Sequence, residues 1–93
     1  MSGPQIPTNL PVMNERSTCQ EALKLDKSGD WESAHNQVDH LNSKTVAWVH
    51  AYLHRKEGDQ WNADYWYRRA GKPSFKGTID EEWQQLWEAF SED

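Results

Sequence analysis

Cysteine is nearly absent: Cys19 is the single thiol in 93 residues. No intramolecular disulfide is possible, and no paired-cysteine motif exists to hold a metal or exchange thiols, so the reducing cytoplasm is the predicted location. Long apolar runs are missing as well. No stretch approaches the ~18 apolar residues of a membrane span. No basic segment leads into an apolar one near the N-terminus, which argues against a secretory signal. Positive charge is short: 10 Lys and Arg stand against 15 Asp and Glu, for a formal net charge of -5. That balance disfavours nonspecific binding to nucleic acid or to an anionic membrane. Motifs of known chemistry are also lacking. No phosphate-binding glycine loop, nucleophile elbow or His-Glu-x-x-His zinc signature occurs.

The chain is instead rich in rings. Six Trp, three Tyr and two Phe accompany a mean hydropathy of -1.06, so a few large side chains must build the core. A chain this short buries only about 60–65% of its surface and reads as one domain. Three of the four prolines, Pro4, Pro7 and Pro11, fall in residues 1–13. That segment reads as an extended arm ahead of an all-α domain over 14–93.

Apolar spacing predicts about five helices. The first runs from Asn14 to about Lys27, with Cys19, Ala22, Leu23 and Asp26 on its inner side, and Cys19 is read as a small buried hydrophobe. The second runs from Trp31 to about Leu41 on an inner stripe of Ala34, Val38 and Leu41. The central helix follows Ser43 and carries Val46, Val49, His50 and Leu53, with Ala47, Ala51 and His54 beside them. A helix apolar on more than one side is usually central. The fourth sets Ala63, Tyr67 and Ala70 on a narrow stripe. Thr78 with Glu81 forms a capping box before the last helix, whose Ile79, Trp83, Leu86, Trp87 and Phe90 should close the core. Two Gly-Asp turns, at Gly29-Asp30 and Gly58-Asp59, separate helix pairs. The glycine supplies a positive φ that ends one helix, and the aspartate accepts from free N–H groups that open the next.

The two pairs repeat at an offset of 29 residues: Ala22 falls on Ala51, Gly29-Asp30 on Gly58-Asp59, Ala34 on Ala63, Val38 on Tyr67 and Leu41 on Ala70. Stacked helical hairpins carry such a signature. The pattern resembles tetratricopeptide-type repeats, which implies two antiparallel hairpins stacked side by side. The strip from Trp48-Val49-His50-Ala51-Tyr52-Leu53-His54 through Gly58-Asp59 to Tyr65-Trp66-Tyr67-Arg68-Arg69-Ala70-Gly71, preceded by Ala34-His35, is also similar to a family of small, mostly bacterial, uncharacterised helical proteins. That resemblance implies a shared helical fold and no particular chemistry.

Two sets of residues stand out as candidate sites. Trp61 and Tyr65, four apart, face away from Ala63 and Tyr67, as Trp48 and Tyr52 face away from His50; such rings are either roofed by other segments or exposed. With Arg68 and Arg69, Trp61 and Tyr65 make the residue types that interface centres favour. The leading functional reading is therefore a non-catalytic module that binds a protein partner or forms a homo-oligomer, without a cofactor. The alternative is a metal-binding protein or a small metal-dependent enzyme. His50 and His54 share one helix face, His35 on the preceding helix can lie across from them, and Glu57, Glu21 or Asp64 could add a carboxylate, a donor set suited to zinc or iron. Glu57 also reads as a partner for Arg68 or Arg69. A third reading is weak single-stranded nucleic-acid binding through the basic, aromatic segment from Trp61 to Lys72.

Overall fold

The computed structural model describes residues 10–91, with side chains from residue 15 onward. Five helices follow one another: α1 (Leu10–Lys27), α2 (Trp31–Val38), α3 (Lys44–Lys56), α4 (Gln60–Ala70) and α5 (Ile79–Ser91). Among the described residues there is no strand. The all-α expectation holds. α1 opens four residues ahead of Asn14, with Pro11 in its first turn, where a missing N–H costs no intrahelical bond. The rest of the predicted arm, residues 1–9, lies outside the described residues. α2 stops at Val38, short of the predicted Leu41.

Both Gly-Asp turns have one geometry. Gly29 and Gly58 sit at φ 97 and 93, and Asp30 and Asp59 follow at nearly the same φ and ψ, -107 and 73 against -102 and 76. Each aspartate accepts from the N–H three residues on, at Ser33 (3.1 Å) and Asn62 (3.2 Å). The capping box also forms: Thr78 N–H donates to Glu81 and Glu81 N–H donates to Thr78 Oγ1.

α3 is the centre, packed against α1, α2, α4 and α5. Val46, Val49, Tyr52 and Leu53 from α3 meet Leu23 of α1, Val38 of α2, and Leu86 and Phe90 of α5 in the main core. Each such side chain contributes roughly 1.5–3 kcal/mol by leaving water. On the other side Ala51, Ala63 and Tyr67 join α3 to α4, where small residues allow close approach. Tyr52 is 1% exposed, so it belongs to the core and not to the outward ring set; Trp48 is half-buried against Phe90 of α5, ring centroids 6.0 Å apart.

Two buried carboxylates pin the outer helices to α3. Asp26 of α1 accepts from Tyr52 Oη at 2.5 Å and from Lys56 Nζ at 2.8 Å. Glu82 of α5 accepts from Arg55 Nη1 at 2.9 Å and from the Tyr67 hydroxyl, and Arg55 also donates to the Gly77 carbonyl. No described helix is long and apolar enough to cross a membrane.

Candidate functional site: a histidine triangle beside an exposed aromatic face

α2 packs on α3, and His35 of α2 lies opposite His50 and His54 of α3. The three rings form a near-equilateral triangle, with centroids 4.8 Å (His35–His50), 4.9 Å (His50–His54) and 5.0 Å (His35–His54) apart. One donor nitrogen from each lies within 4.8 Å of the other two. The nearest pair is His35 Nε2 and His50 Nε2, at 3.1 Å. The predicted convergence is therefore met.

Carboxylates back two of the rings. His54 Nδ1 meets Glu57 Oε2 at 2.7 Å, a contact that orients the ring. Glu57 thus serves His54, and not Arg68 or Arg69 as expected. Asp39 stands 3.9 Å from His35 Nδ1. His50 differs: its Nδ1 is buried and has no hydrogen-bond partner among the described residues. Glu21 lies on the surface, and Asp64 is engaged by Gln60 and Ser74, so neither joins the triangle.

Walls of the site come from two tryptophans that sequence reasoning did not assign to it. Trp31 stacks on His35 (4.9 Å, 8°), held by its indole N–H on the Leu53 carbonyl at 2.7 Å. Trp66 stacks on His50 (3.9 Å, 18°). The spacing of Trp31 and His35, four apart on one helix, is a signal that could have found the first; the second depends on how α4 packs on α3. Two of the three rings are buried, His50 at 3% exposed and His54 at 8%, while His35 is half-buried. Burial, then repulsion from His54, holds His35 below the usual histidine range, against the pull of Asp39 and Glu57. Burial, then the neighbouring His54 and His35, pushes His50 down to about 3. Both rings are neutral near pH 7, the form that ligates.

The second candidate set lies outward on α4. Trp61 is 79% exposed and Tyr65 38%, and Arg68 and Arg69 are exposed beside them. Arg69 places its guanidinium over the Tyr65 and Trp66 rings, at 5.9 and 5.5 Å. Cys19 is inert: burial, then the nearby Glu15 charge, raises its thiol to about 12. Compared with family models, curated proteins and solved structures, the chain matches none.

Proposed function

We propose that this small helical protein binds a divalent first-row metal ion, zinc foremost, through the imidazoles of His35, His50 and His54. The single observation that carries the reading is the convergence of one nitrogen from each ring within 4.8 Å. A tetrahedral zinc with Zn–N bonds of about 2.0–2.1 Å spaces its ligand nitrogens about 3.3–3.4 Å apart. The His35–His50 pair already stands at 3.1 Å, and His54 has to close in by little more than a bond length. Glu57 then acts as the carboxylate that orients a ligating histidine through its far nitrogen. Three protein ligands leave a fourth position for water or another small ligand, the arrangement that catalytic zinc sites use, though no substrate is assigned. Neutral imidazoles suit zinc, iron, nickel or copper better than calcium or magnesium.

The test is metal content by mass spectrometry of untagged protein purified without chelator, beside a His50→Ala, His54→Ala double variant. Near one equivalent in the first and none in the second is expected. Absence from both, even after incubation with zinc, would reduce the triangle to structural histidines.

A second reading rests on a separate observation, the 79% exposure of Trp61. α4 also serves as a protein-docking helix, consistent with the resemblance to helical-repeat modules. Nucleic-acid binding by the same helix is the weakest reading, and lack of salt-dependent oligonucleotide binding would remove it.

A further inference from the structure

We infer that α4 is a self-association helix, and that a second copy of this chain docks on it antiparallel about a two-fold axis near Tyr65. This association does not depend on the metal.

Among the five helices, α4 has only α3 as a close backbone neighbour, whereas α5 reaches both α1 and α3. The terminal helix of a hairpin stack ordinarily turns a polar face to water, because nothing further covers it. α4 does the opposite. At 100° per residue, Trp61, Tyr65 and Arg68 fall on one narrow arc, directly opposite the inner Ala63, Tyr67 and Ala70. A 79%-exposed tryptophan at the start of that arc is a large apolar side chain that no described residue covers.

The order of the residues along the arc selects the occupant. Trp61 sits at the N-terminal end, Arg68 at the C-terminal end and Tyr65 midway, while Arg69 lies beside the arc over the Tyr65 and Trp66 rings of its own chain. An antiparallel copy therefore lays each Trp61 against the other copy's Arg68, two symmetric cation–π contacts, and lets the Tyr65 rings meet at the axis. A parallel copy would set arginine against arginine and is excluded by like charge. The surface is self-complementary in one orientation only, which is what a two-fold interface requires. One helix face is smaller than a standard interface, so the dimer should be weak, with a dissociation constant on the order of 10–100 μM.

Sedimentation of the full chain across that concentration range tests the association, and cysteine cross-linking tests its geometry. The wild type should pass from monomer to dimer, and Trp61→Ala should weaken the dimer at least tenfold. Under mild oxidation Tyr65→Cys should cross-link through the axis. Trp61→Cys should not, because eight residues of α-helix separate the two copies' positions by about 12 Å, beyond disulfide reach. A chain monomeric up to ~1 mM overturns the inference. So does cross-linking through Trp61→Cys in preference to Tyr65→Cys, which would mean a parallel or disordered contact.

Discussion

Two kinds of buried polar cluster touch α3, and they are built differently. In the carboxylate clusters every oxygen is used: Asp26 accepts from Lys56 on one oxygen and Tyr52 on the other, and Glu82 accepts from Arg55 and Tyr67 in the same way. Each ties an outer helix to the centre. The histidine triangle has one close nitrogen pair and leaves His50 Nδ1 buried without a partner among the described residues. Polar groups kept for architecture alone are normally closed networks, since an unmatched buried polar atom costs about 1–3 kcal/mol. Within one small core the chain closes both carboxylate networks and leaves the histidine one open; metal at the close Nε2 pair, as proposed, would engage that pair and not His50 Nδ1.

The comparison breaks most easily at its structural end. Glu82→Ala should be the most damaging substitution, costing about 3–5 kcal/mol, because it takes the counter-ion from the partly buried Arg55 and the acceptor from the Tyr67 hydroxyl. Denaturant unfolding measures it. A loss under about 1 kcal/mol would mean that water replaces the carboxylate, and the contrast between closed and open clusters would then lose its meaning. At the other end, free zinc at a hundredfold over its dissociation constant should stabilise the protein by about 2.7 kcal/mol. That gain should vanish in His35→Ala and persist in Tyr52→Phe, whose altered hydroxyl belongs to the Asp26 cluster. A zinc-induced rise that survives in His35→Ala places the metal elsewhere.

Much of this was legible beforehand. The Gly-Asp turns, their aspartate caps and the Thr78–Glu81 box are local chemistry, decided within four residues, and they appear as the spacing predicts. His50 and His54 share a face by helix geometry, and His35 on the preceding helix was read as able to lie across from them. Trp66 and Glu82 escaped because their roles are tertiary: one is a wall only when α4 lies on α3, the other a buried anion only when Arg55 and Tyr67 converge on it. Tyr52 looked outward for the same reason. On an isolated helix it faces away from His50, and only the arrival of α1 with Asp26 turns that direction inward. Pro11 misled the start of α1, since a proline in the first turn is compatible with the helix that a proline-rich segment argues against.

The finest test of the comparison is the acid side of the stability curve in chelator-treated protein. His50 falls from 6.5 to about 3 on folding, through burial first and the other two histidines second. Because the folded pKa lies below the unfolded one, the unfolded chain takes the proton first as the pH drops. Stability is therefore whole above 6.5 and declines through the window from 6.5 to about 3. The loss from this group should be about 1.4 kcal/mol by pH 5.5. Glu82 runs the other way, since burial raises its carboxyl despite Tyr67 and Arg55, and its protonation favours the folded state as the pH falls. A difference between two proteins removes that opposing slope. His50→Phe keeps a ring against Trp66 but cannot titrate, so its stability should fall less than the wild type between pH 7 and pH 5.5, by about the same 1.4 kcal/mol. Equal slopes in the two proteins would mean that His50 charges normally inside the fold. The neutral imidazole that a metal requires would then be missing from the triangle at the outset.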